Sequence, residues 1–305
     1  MPPKSYEVVF QQPAKRRPTK VENMPSENFI DQDAAQEREL ERKDLLSASA
    51  WHGHELTEVP GLITISIVSH GQAALVRKLL KNLNQIRPGL VASVVVTLNI
   101  PEADMLADVN CNHPLQVLLN KVPKGFGSNH NAAFAHCKSE WFLVLNPDIE
   151  IKGDPLLALV LLADPAAGLL SPRIKEPGKL TPEPHRALLT PAEILMRRFN
   201  PPADTPAWVP GMFMLVRNAA YREINGFDEK YFMYVEDADL CARMQLAGWK
   251  IQIEESITVF HDAQRASKRR LRPMLWHGTS LLRWWTSVAF WRALIALKGQ
   301  ASRFR

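Results

Sequence analysis

The sequence predicts an α/β fold with a mainly parallel, mixed sheet covered by helices on both faces. From residue 61 onward, short β-branched or apolar runs alternate with segments of helical periodicity. The first unit is typical, because the strand pattern at 62–69 ends at His70 and Gly71 and is followed by leucines at helical spacing. Strands that alternate with helices in this way pair in parallel and are buried on both faces.

The later elements repeat this pattern. Leu240 and Met244 belong to a helical segment that stops at Gly248, and Phe134 lies in another helix. Shorter helices are predicted at 154–162 and 192–199. Further strands are predicted at 91–98, 115–119, 141–145, 168–172, 212–216, 250–254 and 257–261.

Residues 173–206 are rich in proline and poor in periodicity, which predicts long loops around the short helix at 192–199. Long loops over an α/β core often carry specificity. We therefore expect residues 173–206 to form one side of a binding pocket.

The composition divides the chain into three parts. Residues 1–58 combine early prolines, mixed charge and a polar run at 31–44, and predict a mostly disordered extension. Residues 59–262 form the α/β domain. Residues 263–305 predict a basic, tryptophan-rich helical tail, because ten Lys or Arg and no Asp or Glu follow residue 263.

Several observations favour a cytoplasmic protein. Three cysteines without metal-ligand spacing fit buried thiols in a reducing compartment, and no apolar segment typical of a secretory signal follows the first basic residues. The best candidate for a membrane span, at 284–297, is interrupted by Arg292 and is shorter than the roughly 18 to 20 apolar residues that a span requires.

The most distinctive stretch runs from Asn225 to Trp249. Its acidic centre contains Glu236 and Asp237 and follows an aromatic run at 231–234. Carboxylates are favoured at the start of a helix, so a solvated helix N-terminus is one interpretation. The aromatic residues favour a walled site instead, in which a carboxylate could take a proton from a hydroxyl group.

Ligands of parallel sheets bind beyond the carboxyl ends of the strands. This rule selects Ser69, Asn99, the segment 125–131 and the segment 146–148. The glycines of the segment 125–131 open a helix after a strand, so its N–H groups could approach a phosphate; a simple turn is the alternative.

Asp148 ends an apolar strand, and a carboxylate there could bind Mg²⁺ or Mn²⁺ if a substrate diphosphate supplied further oxygens. A helix cap is the alternative for Asp148. His261 follows another apolar strand, where a structural hydrogen-bonding role is the usual one.

Three segments together resemble family 2 glycosyltransferases, and most closely their bacterial rhamnosyltransferase-like branch. The segments are Gly-Phe-Asp-Glu from Gly226, Tyr-Phe-Met-Tyr-Val-Glu-Asp-Ala-Asp-Leu-Cys from Tyr231, and Ala-Gly-Trp from Ala247. The resemblance covers residues 62–285 and implies the Rossmann-like GT-A fold. It also implies inverting transfer of a sugar, with Asp237 as the catalytic base and Glu236 orienting the site.

The resemblance also implies a donor site and a metal site. The donor would be a nucleotide-diphospho-sugar such as dTDP-rhamnose or a UDP-sugar, and the acceptor a saccharide or lipid-linked hydroxyl in cell-surface polysaccharide or lipopolysaccharide synthesis. The triplet at 146–148 occupies the place of the family's Asp-x-Asp motif, with Asn146 in place of the first Asp, and this assigns Mg²⁺ or Mn²⁺ mostly to Asp148. His261 occupies a position that supplies a metal or diphosphate contact in the family. The loops at 173–206 would then form the acceptor side of the pocket. The donor-binding residues that follow from the strand ends and the resemblance are Ser69, Asn99, Gly125, Phe126, Gly127, Asn131 and Asn146.

One departure from the family pattern affects the base-binding site. Family members often carry an acidic residue directly before Asn99, where this chain has Leu98. Two other functions therefore stay open, a sugar nucleotidyltransferase and a catalytically inactive sugar-nucleotide-binding protein. The turn after the first predicted strand, Ser69 to Gln72, lacks the basic, glycine-rich loop of a nucleotidyltransferase.

The basic tail has two interpretations. Its tryptophans could lie at headgroup depth on an anionic inner membrane face, or they could pack on the core. No nucleic-acid motif accompanies the charge, so we expect no nucleic-acid partner.

Overall fold

The computed structural model describes residues 7–10, 61–102, 109–179, 181–196, 199, 203, 205–262 and 271–303. Most of the predicted extension at 1–58, including the polar run at 31–44, and the basic run at 265–270 lie outside these residues. Within the predicted extension, Glu7–Phe10 forms a strand rather than disordered chain.

Nine strands occur in the described residues, and they form one sheet in the order β1-β4-β3-β2-β5-β8-β7-β9-β6. Five of the eight strand pairings are parallel, and β5–β8, β7–β8 and β6–β9 are antiparallel. The strands are β1 (Glu7–Phe10), β2 (Ile63–Ser69), β3 (Val91–Leu98), β4 (Leu115–Leu119), β5 (Trp141–Leu145), β6 (Ile149–Glu150), β7 (Ala167–Lys175), β8 (Phe213–Arg217) and β9 (Lys250–His261).

Eight helices complete the part of the chain that the structure describes. They are α1 (Ala73–Leu83), α2 (Phe126–Phe134), α3 (Pro155–Leu161), α4 (Pro191–Met196), α5 (Asn218–Glu223), α6 (Glu236–Leu246), α7 (Leu271–Thr286) and α8 (Val288–Arg303). The strand pairings and the helices together confirm the α/β fold with a mainly parallel mixed sheet that the sequence predicts.

Each face of the sheet has its own apolar core because successive strand residues point in opposite directions. In β5, Trp141 and Leu143 pack with α1 and α3, whereas Phe142 and Val144 pack with α2, α5 and α6. Both sets are fully buried. The three cysteines are buried, as expected.

The last predicted strands of the domain differ from those in the structure. The two strands expected at 250–254 and 257–261 are one strand, β9, whose register against β7 shifts between Pro172 and Arg173. The exposed Glu255 and Ser256 interrupt the apolar pattern there, and the bulge keeps the strand continuous.

The C-terminal helices pack on the core, which confirms one interpretation of the tail tryptophans. Trp284 is fully buried, and its Nε1 donates a hydrogen bond to the Leu189 carbonyl at 2.9 Å. Trp285 donates to the same carbonyl at 3.1 Å. Within the described residues, no helix combines the length and apolar character needed to cross a bilayer.

Candidate active site

A cavity of about 920 Å³ lies where several strand ends meet the loops and the starts of helices. Two groups of residues line it and are distinguished by their origin. The strand-end lining consists of Asn99, Asn146, Asp148 and His261, and the loop-and-helix lining consists of Arg186, Trp208, Phe232, Glu236, Asp237 and Trp276.

Asp237 is held by backbone donors. Its Oδ2 accepts a hydrogen bond from the Gly211 N–H at 3.1 Å, and its Oδ1 accepts one from the Ala238 N–H at 2.9 Å. Burial raises the pKa of Asp237, and these hydrogen bonds together with the positive charge of Arg186 oppose the increase. The result is a carboxylate that is more basic than usual and remains fixed in direction.

Glu236 lies in a different environment although it is the adjacent residue. Its side chain is only 6% exposed, and its Oε2 has no hydrogen-bond partner. Burial and the negative charge of Asp237 raise the pKa of Glu236 well above its usual range. Because Asp237 has the better hydrogen bonds, we assign the negative charge to Asp237 and the proton to Glu236.

The backbone before this pair is strained. Tyr234 and Val235 both have φ of 72°, a left-handed conformation that is unfavourable for bulky residues and especially for a β-branched one. Such residues cost roughly 1–3 kcal/mol each and cluster at active sites and ligand clamps. The strain turns the chain directly into α6, so that Glu236 and Asp237 occupy its first turn.

Asp148 and His261 are brought together by a short antiparallel pairing in which Ile149 opposes His261. Asp148 Oδ2 and His261 Nε2 are 3.1 Å apart. Burial lowers the pKa of His261, but the hydrogen bond to Asp148 and the negative charges of Asp148, Glu183 and Glu176 outweigh it, so the pKa is raised.

This pair fits a divalent cation that shares its ligands with a substrate. Asp148 Oδ1 and His261 Nδ1 are both buried and lack hydrogen-bond partners. Among the described residues, no group of three or more His, Cys, Asp or Glu side chains could hold a metal ion. A cation at Asp148 and His261 would therefore need further oxygen ligands from a diphosphate or water.

Asn99 lines the cavity, but its amide group is already saturated by protein contacts. Its Oδ1 accepts hydrogen bonds from Asn120 Nδ2 at 2.9 Å and the Lys124 N–H at 2.7 Å. Its Nδ2 donates to the Lys124 carbonyl at 3.0 Å and lies 3.2 Å from His70 Nδ1. Asn99 therefore fixes the turn between β4 and α2, and direct recognition of a base by its amide would break this network.

Four predicted donor-binding residues do not line the cavity. The Ser69 hydroxyl is buried and accepts a hydrogen bond from the Gln72 N–H. A side chain at Gly125 would clash with the backbone of Phe232, and one at Gly127 would clash with the Phe227 ring. Both glycines permit close packing around α2, whereas Phe126 and Asn146 do line the cavity.

Asn131 supports a turn rather than lining the cavity. Its Oδ1 accepts hydrogen bonds from the Tyr221 hydroxyl at 2.7 Å and the Phe227 N–H at 3.0 Å. A Cβ at Gly226, where φ is 65°, would lie 2.4 Å from this oxygen. Asn131 and Gly226 therefore fit together and hold the turn that precedes the acidic segment.

Three cavity residues, Arg186, Trp208 and Trp276, were not singled out as site residues. Arg186 lies in the predicted acceptor-side loops and stacks 4.7 Å from the Trp208 ring centroid, while Trp276 comes from α7. The proline-rich composition of 173–206 predicts loops, and within the described residues they begin after β7, which extends to Lys175. No local pattern distinguished these side chains, because they meet only in the folded chain.

Several known proteins are similar to this chain in sequence. The family described as the N-terminal domain of galactosyltransferase matches residues 191–263. Rhamnosyltransferase WbbL of Escherichia coli K12 is 31% identical over 248 residues, which cover 73% of this chain and 92% of WbbL. The N-acetylglucosaminyl-diphospho-decaprenol L-rhamnosyltransferase of Mycobacterium tuberculosis is 32% identical over 151 residues, which cover 43% of this chain and about half (49%) of that protein.

Two solved structures share the fold. Mannosyltransferase PcManGT from Pyrobaculum calidifontis, in complex with GDP-Man and Mn²⁺, has a TM-score of 0.53 at 15% identity, covering 77% of this chain and 66% of that one. GalNAc-T7 with UDP, GalNAc and Mn²⁺ also has a TM-score of 0.53 at 15% identity, covering 67% of this chain and 44% of that one.

The fold is the GT-A fold that glycosyltransferases of known structure share. The sequence identity to WbbL, which extends over 92% of WbbL, shows the family. The chain belongs to the family 2 glycosyltransferases, in their rhamnosyltransferase-like branch. The resemblance inferred from the acidic segment is confirmed, and family membership favours glycosyl transfer over nucleotidyl transfer.

Proposed function

We propose that this protein transfers rhamnose, or a related hexose, with inversion from a nucleotide-diphosphate donor to an acceptor hydroxyl in cell-surface polysaccharide or lipopolysaccharide synthesis. The donor would be dTDP-rhamnose or a UDP-sugar. One observation carries the proposal: Asp237, oriented by two backbone N–H groups, lines the same cavity as the Asp148 and His261 pair.

In this mechanism, Asp237 accepts the proton of the acceptor hydroxyl as that oxygen attacks the anomeric carbon. The bond between the anomeric carbon and the diphosphate oxygen breaks, and the nucleoside diphosphate leaves from the opposite face, which inverts the anomeric centre. The raised pKa of Asp237 makes it a stronger base. Protonated Glu236 donates a hydrogen bond that orients a substrate hydroxyl.

The metal site complements this base. Asp148 and His261 would hold Mg²⁺ or Mn²⁺, which when bound neutralises the charge that develops on the leaving diphosphate. The Asp148 Oδ1 and His261 Nδ1 atoms without partners support this assignment. Arg186 and Lys124 also line the cavity and add positive charge near an anionic donor.

A panel of nucleotide-sugars, incubated with Mn²⁺ and a lipid-linked sugar diphosphate acceptor, tests the proposal. We expect one donor to release its nucleoside diphosphate and to form a product with inverted anomeric configuration. Thermal stabilisation by a donor without any release would support the inactive binding protein instead. Release of pyrophosphate from a nucleoside triphosphate and a sugar phosphate would support the nucleotidyltransferase.

The outward face of α8 suggests peripheral contact with an anionic membrane. Val288, Trp291 and Ile295 are exposed and share one face of the helix, while Phe290 packs inward. The ten basic residues after residue 263 complement an anionic surface. Such contact would place the enzyme on the inner membrane face, where a lipid-linked acceptor resides.

Vesicle co-sedimentation tests this contact. A truncation of the tail would remove Trp284 from the core, so the useful variant changes Val288, Trp291 and Ile295 to serine and leaves Trp284 in place. We expect wild type to bind phosphatidylglycerol vesicles at low salt and to dissociate at 1 M salt, where the Debye length is about 3 Å. Equal binding of wild type and variant, or equal binding to neutral vesicles, would contradict membrane docking through α8.

A further inference from the structure

Two aromatic pairs line the cavity and have no part in the proton transfer assigned to Asp237. Phe232 and Trp276 have ring centroids 4.8 Å apart at an interplanar angle of 42°. Tyr234 and His277 have ring centroids 5.3 Å apart at 56°. In each pair one residue comes from the segment before α6 and the other comes from α7.

The position of the Phe232 segment is fixed by contacts to two other elements. The Phe232 carbonyl accepts a hydrogen bond from the Phe126 N–H at 2.9 Å, and Gly125 allows the two backbones to approach. On the other side, the Ser280 hydroxyl of α7 donates to the Met233 carbonyl at 2.9 Å. The aromatic pairs are therefore held in place before any substrate binds.

The Phe232 ring is exposed although hydrogen bonds to neighbouring elements fix the backbone of its segment. Phe232 is 37% exposed, although Tyr231 beside it is buried. The left-handed backbone at Tyr234 costs stability and is retained where it directs the chain into the catalytic carboxylates. Fixed aromatic surface that faces a cavity can bind an apolar ligand face with little loss of side-chain entropy.

We propose that Phe232 and Trp276, flanked by Tyr234 and His277, form the platform on which a sugar ring of the acceptor stacks. The C–H groups on one face of a pyranose ring are apolar and complement the negative face of an aromatic ring. The inference rests on the proposed glycosyl transfer and specifies its acceptor class: the attacking hydroxyl belongs to a saccharide.

The connection to Asp237 assigns this platform to the acceptor and not to the donor. A general base must come within about 2.6–3.2 Å of the hydroxyl that it deprotonates. Tyr234 lies only three residues before Asp237, and the segment from Phe232 leads directly into α6. The proposed contacts to the donor diphosphate, Asp148 and His261, come instead from the β5 and β9 ends.

The test compares Trp276→Ala with Leu282→Ala. Leu282 is an exposed apolar residue of the same helix, α7, and does not line the cavity. With a short-chain, lipid-linked N-acetylglucosaminyl diphosphate as acceptor, Trp276→Ala is expected to raise the acceptor KM about tenfold or more, as expected for loss of a stacked ring. The donor KM should not change, Leu282→Ala should behave as wild type, and Trp276→Phe should restore most of the affinity.

A second variant and a binding measurement keep the result decisive. Phe232→Ala removes the other ring from a different element, so a matching rise in acceptor KM in both folded variants would support the platform. An unchanged acceptor KM in both, or a rise in donor KM alone, would overturn it. If wild type turns over no donor, the proposed transfer fails, and saturation-transfer NMR with the same acceptor still shows whether Trp276 contributes to saccharide binding.

Discussion

The two linings of the cavity differ in the elements that supply them and in what their side chains contact. In the strand-end lining, Asn99 is saturated by neighbouring amides. Asp148 and His261 hydrogen-bond to each other, and each keeps one buried atom without a hydrogen-bond partner. In the loop-and-helix lining, Glu236 keeps an unpartnered oxygen, and Phe232 and Trp276 keep exposed ring surface.

This difference suggests a division of labour. A lining built from adjacent strand ends is rigid and suits a constant feature of the substrates, the diphosphate of the donor. A lining in which residues 186, 208 and 276 surround the base can vary at those three positions with the acceptor without disturbing the sheet. Each of the following predictions tests one side of this comparison.

The largest effect is expected for Asp237→Asn, which keeps the shape of the loop-and-helix lining and removes the base. Turnover should fall roughly 10²-fold or more, while nucleotide affinity stays unchanged. Steady-state kinetics and calorimetry with the nucleoside diphosphate measure the two effects separately. Glu236→Gln is the matched control and should lose less activity, because it keeps a hydrogen-bonding group. Equal losses of rate and nucleotide affinity in Asp237→Asn would assign Asp237 a binding role.

The strand-end lining is tested by Asp148→Ala. Nucleotide affinity should fall about tenfold or more when Mn²⁺ is present and should change little when a chelator is present. Asp262→Asn is the control, because Asp262 is an exposed carboxylate next to His261 in the chain and does not line the cavity. Full wild-type activity in excess chelator would remove the cation from the mechanism.

The sequence predicted the strand-end lining better than the loop-and-helix lining for a physical reason. An apolar strand followed by a polar residue is a local pattern, and parallel strands bring such residues to one edge, so Asn99, Asn146 and Asp148 could be selected. Arg186, Trp208 and Trp276 come together only through tertiary packing. The local periodicity of the sequence cannot predict such contacts.

The glycine-rich segment at 125–131 shows that a motif can have a structural role that its pattern does not indicate. Gly125, Gly127 and Asn131 were predicted to contact the donor, but their surroundings are Phe232, Phe227 and the Gly226 turn. These residues position the acidic segment. These residues therefore have packing roles in the structure, and their contact with a donor stays a prediction.

A smaller effect is expected for Arg186→Gln. The positive charge of Arg186 lowers the pKa of Asp237, so its removal should raise that pKa and move the acid limb of kcat/KM to higher pH. The acid limb moves to higher pH because Asp237 must be deprotonated to act as a base. Arg186→Lys keeps the charge and should keep the limb near its wild-type position. A rise in donor KM with an unmoved acid limb would identify Arg186 as a diphosphate contact instead.

The smallest effect on nucleotide binding is expected for Asn99→Ala. Because the Asn99 amide already makes its hydrogen bonds within the protein, its removal takes away the oxygen that accepts from both Asn120 Nδ2 and the Lys124 N–H, and one donor to the Lys124 carbonyl. An unsatisfied buried polar group costs about 1–3 kcal/mol, so the free energy of unfolding in urea should fall by that order.

Preference among nucleoside diphosphates should stay the same in Asn99→Ala, because a base would have to be read by other groups or by stacking. Leu98→Asp provides the complementary variant, since it introduces the acidic residue that family members often carry before this asparagine. A change in base preference in Asn99→Ala, without loss of stability, would show that the strand-end lining reads the base directly and would remove the distinction between a structural and an adaptable lining.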